Sequence, residues 1–337
     1  MTSTTARSSP HLLPASATSS PNETPAEAVL RDAEEELFAR VLADGPPAAD
    51  APAVFILGAP RTGSTVLYQA VARYLRLPYF SNLANEVAPA RPAVVAPLQR
   101  DLFDPARVEF TSAYGKTRGA FQPSEASGVM RNWFGGGHPS QVTSTRVLAG
   151  KGFHMVRTFA TLHRLYAAPV VTKNPWNCFR IASIAELLPR AVFVWIRRDI
   201  SAAARSDLAA RYVVQGDPGV WNSATPANYE ELQRTRPYWG QVVENQYEFS
   251  AAIRIPLAAL GPGRAVEIWY EDLLRDPTGC LAGLAARLGG PAPADVALGG
   301  GGPVEKPFRP GDEDRVREYV AAHADRLADL RYPGRAV

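Results

Sequence analysis

The sequence predicts an α/β fold, a P-loop-type three-layer sandwich with a central parallel sheet. Three observations carry that prediction. Short apolar runs alternate with helical patterns along most of the chain, the signature of parallel strands joined through helices. Runs such as "AVFIL" at 53–57 and "AVFVWI" at 191–196 are apolar at every position, as strands covered on both faces must be. The first of them leads into "GAPRTGST", a glycine-punctuated loop placed before a helix, where such sheets hold phosphate.

Taken in order, residues 1–24 are rich in Ser, Thr, Pro and Ala and are expected to stay disordered, since they offer too little apolar surface to offset ordering entropy. Residues 25–50 are expected to form a helix and a linker. Thr24 and Glu27 have capping-box spacing, Pro25 suits the first helical position, and Val29, Ala33, Leu37 and Val41 recur at helical spacing. Residues 51–337 then form the main domain. Its predicted order is strand "AVFILG", helix "STVLYQAVARYL", a possible strand "LPYFS", strand "PVVTKN", helix "CFRIASIAELLP", strand "AVFVWI" and helix "SAAARSDLAARYV". A long helix over about 238–260, strand "AVEIWY" and a helix near 278–288 complete it. Residues 86–165 show helices without clear alternation, and "GGGG" at 299–302 reads as a flexible loop.

Composition narrows the function classes. Of 337 residues, 46% are apolar and the net charge is +3, which gives no basic surface for a nucleic acid. The 36 cationic side chains include only four lysines, Lys116, Lys151, Lys173 and Lys306. Two cysteines, Cys178 and Cys280, are too few for a disulfide framework or a Cys-rich zinc site. No run approaches the ~20 apolar residues that span a bilayer. The N-terminus has no apolar core of a secretory signal. A cytoplasmic protein without membrane or nucleic-acid partners is expected.

The loop after the first strand departs from a Walker A sequence in one respect. Gly58, Gly63 and Thr65 keep the spacing, but Ser64 stands where the lysine belongs and the cation is Arg61. Its amides, with the hydroxyls of Thr62, Ser64 and Thr65, suit an anion at a helix N-terminus. The same residues would also make a plain glycine turn capped by hydroxyls. A kinase would further need an acidic residue at a second strand end to hold magnesium. "AVFVWI" ends instead in Arg197 and Arg198, at the sheet edge where open α/β folds bind ligands. Asp199 reads as the cap of the next helix, and Ser206 within that helix can turn back toward the same anion.

Two anion sites on separate βα units resemble the PAPS-dependent sulfotransferase family, of the bacterial or Golgi type. "APRTGST" resembles its 5′-phosphosulfate loop, and "VFVWIRRDISAAARS" its 3′-phosphate motif. "VTKNPWN" and "VEIWYEDLLRDP" resemble two further segments, so the likeness runs from about residue 53 to 290. It implies transfer of a sulfuryl group from PAPS to a hydroxyl or amine of a small molecule or glycan, with no metal. Arg61, Thr62, Gly63, Ser64 and Thr65 would hold the 5′ end, Arg198 and Ser206 the 3′-phosphate, and Lys173 would meet the leaving oxygen. Many members carry a basic histidine two residues after that lysine; here the position is Pro175. Glu86 stands at a place comparable to the glutamate base of other members, with His138 and His154 as rivals. A helix-terminal role serves Glu86 equally well. Trp133, Phe134, Trp221, Tyr229, Tyr238 and Trp239 are candidates for an acceptor pocket or for core. An ATP-dependent kinase and a nucleotide-binding protein without catalysis are the alternative readings. "GKT" at 115–117 and the sequon at Asn22 are set aside as chance matches.

Overall fold

The computed structural model describes residues 23–113, 116–136, 150–261, 263–299 and 308–333. Most of the expected N-terminal tail, His138 and the "GGGG" loop beyond Gly299 lie outside these ranges. Four strands form the central sheet: β1 (Ala53–Leu57), β2 (Val170–Lys173), β3 (Ala191–Arg197) and β4 (Ala265–Trp269). All are parallel, in the spatial order β2-β1-β3-β4. Ile56 of β1 pairs with Lys173, Leu57 with Trp195, and Arg197 with Trp269, so the four carboxyl ends lie along one edge.

Alternate residues of β1 build two cores. Ala53, Phe55 and Leu57 face one way, packing with Phe159, Phe193, Trp195 and Phe249. Val54 and Ile56 face the other way, with Leu67, Val71, Val194, Ile196 and Leu281. A strand with two buried faces has no polar side, which is why its sequence is apolar throughout. Each such fully buried side chain contributes about 1.5–3 kcal/mol. The helices Lys151–Tyr166 and Tyr238–Ala259 cover the first face, and Ser64–Tyr74 and Pro277–Leu288 the second. The result is the expected three-layer α/β sandwich. Among the described residues no helix is long and apolar enough to cross a membrane.

Three local expectations need correction. "LPYFS" is not a strand: Pro78 has no N–H to give to a ladder, so its carbonyl accepts from Val171 at 2.8 Å and the pairing stops there. "CFRIASIAELLP" yields only the helix Ile181–Leu187, because Pro175–Phe179 forms a tight 3₁₀ turn first. The helix Pro25–Leu42 has its capping box, but its buried side is Glu34, Leu37 and Phe38, while Val29 is exposed. Glu34 is drawn inward by His154 Nε2 at 2.8 Å and by the Ala93 N–H at 3.2 Å.

Candidate active site

The carboxyl edge of the sheet carries a cleft to which all four strand ends contribute. The β1 end gives the loop 58–63. Gly58 leaves no room for a side chain, since a Cβ would stand 2.9 Å from Ile196 Cγ2 of β3. Arg61 and Gly63 both take positive φ, 72° and 89°. At Gly63 only glycine fits, because a Cβ would fall 2.2 Å from Tyr270 Cδ2. Gly63 caps the helix Ser64–Tyr74 without a side-chain acceptor, so the first-turn amides face the cleft. Buried Cys178 donates to the Gly58 carbonyl at 3.6 Å from behind, and burial pushes its thiol up to about 12, which makes it an inert support.

Arg61, Gly63, Ser64, Thr65, Lys173, Arg198 and Ser206 all line this one cleft. Arg61 Nε donates to Ser206 Oγ at 3.3 Å, bridging the two βα units. Arg198 Nη1 donates to the Arg61 carbonyl at 2.9 Å, and its guanidinium lies 4.8 Å from the centre of the Tyr270 ring. Burial lowers the pKa of Arg198, and its Nε has no hydrogen-bond partner among the described residues. An anion in the cleft is one partner that can satisfy such a buried cationic donor. Lys173 Nζ, buried at the end of β2, donates to Thr65 Oγ1 at 3.3 Å and is ion-paired with Glu125.

Two expected residues do not take their places. Thr62 points its hydroxyl into the loop, donating to the Ala59 carbonyl at 2.8 Å, and does not line the cleft. Glu86 sits exposed on the short helix Asn82–Val87, whose buried residue is Ala84, and is likewise not part of the lining. The carboxylate in the cleft is Glu125. Segment 120–124 runs beside 80–83 through bonds such as Leu83 N–H to the Ala120 carbonyl (2.7 Å) and Ser124 N–H to the Phe80 carbonyl (2.9 Å). Asn174 then donates to the Glu125 carbonyl at 2.9 Å. Left-handed Ala126 (φ 51°) turns the chain into the helix Ser127–Phe134. In the sequence Glu125 is one glutamate in "PSEASG"; only that long-range pairing marks it. His154 is occupied between Trp133 Nε1 and Glu34, both at 2.8 Å, away from the cleft lining.

The remaining motif, "YEDLLRDP", acts residue by residue. Tyr270 covers Gly63 and Arg198, and Glu271 accepts the Asp199 N–H at 3.1 Å. Asp272 accepts the Tyr332 hydroxyl at 2.6 Å, and Asp276 caps the helix Pro277–Leu288. Asp199 caps Ile200–Ala210 as expected, accepting from Ala202 N–H at 3.2 Å. That helix ends in a π-turn, Arg211–Gln215, and the loop after it brings Asn222 and left-handed Ser223 (φ 74°) to the cleft. Of the aromatic candidates, Trp133 and Phe134 are core residues.

Residues 52–294 match the model of the sulfotransferase family. The chain belongs to that family. It is similar in structure to sulfotransferase STF9 from Mycobacterium avium, with 18% identity, 90% of this chain and 79% of that one covered, and a TM-score of 0.43. Similarity to a sulfotransferase from Alicyclobacillus acidocaldarius reaches 17% identity, covering 83% and 96% of the two chains, with a TM-score of 0.42. For sulfotransferase STF1 from Mycobacterium tuberculosis the values are 16%, 88%, 79% and 0.42. No curated protein matches the chain. Among the described residues of this sulfotransferase, no three His, Cys, Asp or Glu side chains meet in a way that could hold a metal ion.

Proposed function

We propose that this sulfotransferase uses PAPS as donor and passes its sulfuryl group to a hydroxyl, or an amine, of a small-molecule or glycan acceptor. The observation that carries the reading is the joining of two cationic sites in one cleft. Arg61 at the β1 loop is hydrogen-bonded to Ser206, and Arg198 from the end of β3 is bonded to the Arg61 backbone. A nucleotide with phosphates at both its 5′ and 3′ ends matches that spacing of charge; the orphaned Arg198 Nε favours the second phosphate.

The donor supplies a sulfuryl group on a phosphate leaving group. The amides of Gly63, Ser64 and Thr65, with Arg61, hold its 5′ end, while Arg198 and Ser206 hold the 3′-phosphate. Lys173 offsets the charge that develops on the leaving oxygen, where one well-placed donor contributes a factor of about 10²–10³. Glu125 accepts the acceptor's proton, the role first expected of Glu86. In the resting protein Glu125 and Lys173 neutralise each other, so the acceptor must part them before either acts.

Melting curves test the donor. Adenosine 3′,5′-bisphosphate should raise the melting temperature far more than ADP or ATP, without added magnesium. Equal stabilisation by ATP, or a strict need for magnesium, would reject PAPS in favour of a kinase.

A further inference from the structure

Among the described residues, two fully buried arginines, Arg180 and Arg211, lie outside the cleft lining. Arg211 has the Pro218 carbonyl and Gln241 as acceptors and Asp207 as a nearby charge, while Arg180 has far less. Arg180 follows the 3₁₀ turn Pro175–Phe179, which leads directly from Lys173 and the cleft-lining Pro175. It has no solvent exposure and, among the described residues, no carboxylate partner, and burial pulls its pKa down to about 10. Its guanidinium sits between aromatic walls, 4.4 Å from the Phe134 ring centre and 5.9 Å from that of Trp176. Nη1 donates to Asn177 Oδ1 at 3.4 Å. Nε and Nη2, both buried, have no partner among the described residues, and neither do the neighbouring donors Trp176 Nε1 and Asn177 Nδ2.

The pattern is one-sided. All four orphans are donors, and a buried cation without a counter-charge is strongly unfavourable. Nε and Nη2 together form the side-on fork that grips two oxygens of one carboxylate, phosphate or sulfate through parallel bonds. We propose that Arg180, with Trp176 and Asn177, forms an oxyanion subsite that receives an acid group carried by the acceptor. The assignment to the acceptor follows from chain position: Arg180 ends the 3₁₀ turn that begins at cleft-lining Pro175, on a different segment from the loop 58–63 and from Arg198 and Ser206. The acceptor would then be a hydroxy or amino compound bearing an acid. That last step rests on the sulfotransferase reading above, while the anion site itself does not.

The experiment uses the full chain saturated with adenosine 3′,5′-bisphosphate at constant chloride-balanced ionic strength. Acetate, sulfate, 4-hydroxybenzoate and neutral 4-hydroxybenzamide are titrated while the melting temperature is followed. A saturable rise with the oxyanions and none with the amide is expected. Arg180→Gln should abolish it, with bisphosphate affinity kept within about threefold. Asn177→Asp is the second variant: its carboxylate, set against Nη1, would neutralise the guanidinium, raise the melting temperature without ligand and remove the oxyanion response. Absence of a saturable response in the parent protein overturns the proposal, as does a response that survives Asn177→Asp. A midpoint for 4-hydroxybenzoate at least tenfold below those of acetate and sulfate supports an acid group on the acceptor. Equal or tighter sulfate binding overturns that assignment in favour of a free inorganic ion. If the anion response is present but PAPS is not turned over, the functional reading fails and the site stands.

Discussion

Lys173 and Arg61 both face the donor cleft, yet they should fail differently when removed. Arg61 belongs to the loop and is bonded to Ser206, so Arg61→Ala should weaken bisphosphate binding and turnover together. Lys173 is tied to Glu125 and Thr65 at rest, and in the proposed reaction it meets new charge only as the bond to sulfur breaks. Lys173→Ala should lower kcat by roughly 10²–10³-fold, with a much smaller change in the Kd for PAPS. Equal losses in kcat and affinity would reduce Lys173 to a binding cation. Glu125→Gln should lower turnover by about 10²–10⁴-fold and leave bisphosphate binding intact, whereas Glu86→Gln should change neither. A large loss of turnover in the Glu86 variant, with Glu125→Gln near normal, would return the base to its first assignment. Single-turnover rates and calorimetric titration separate these outcomes.

At the scale of elements, the loop between β1 and the helix Ser64–Tyr74 has its tightest approach where Tyr270 lies against Gly63. Gly63→Ala must displace that ring or the loop, because the new Cβ would come within 2.2 Å of Tyr270 Cδ2. Bisphosphate affinity should fall at least tenfold. Gly289→Ala provides the comparison. It has a similar φ of 72° at the end of the helix Pro277–Leu288, but nothing lies within 4 Å of its Cβ. It should cost about 1–2 kcal/mol of stability by denaturant titration and leave binding unchanged. The contrast also explains what the sequence could and could not disclose. The loop, Lys173, and the Arg198–Ser206 pair were legible because a strand followed by a turn and a helix fixes their positions locally. Glu125 was not, because it is delivered by pairing between segments 80–83 and 120–124 and by Asn174, contacts between parts of the chain far apart. Thr62 was misplaced for a smaller reason: a hydroxyl in a tight turn can satisfy its own loop as readily as a ligand. Arg180 lies within the predicted helix "CFRIASIAELLP", and nothing in that segment's residue pattern signals its full burial.

Across the whole molecule, the C-terminal segment acts as a brace for the site. The helix Asp312–Ala322 packs Val316 and Val320 against Ile200, Ala204 and Leu208 of the helix that carries Ser206. Two carboxylates fasten it. Burial opposes ionisation of both, yet Arg326 and Tyr319 hold Glu244 below the usual carboxylate range, and the Tyr212 and Tyr238 hydroxyls do the same for Asp312. A depressed carboxylate contributes fully above its unfolded value and loses that contribution as pH falls through its folded one. Acidification should therefore loosen residues 308–333 before the sheet melts, visible as protease cleavage there at a pH where near-ultraviolet dichroism is still native. Simultaneous loss of both signals would show that the brace has no separate transition. The strand ends carry a different consequence. Since β1, β2, β3 and β4 each present a side chain or loop to one cleft, a ligand bound there is a crossbar over the entire sheet. Opening any strand would release it, so its binding free energy opposes every such opening, by about 2.7 kcal/mol at a hundredfold excess over Kd. Amide hydrogen exchange should then slow in all four strands on bisphosphate binding, Val54 and Val194 at the buried centre as much as Gly63 at the rim.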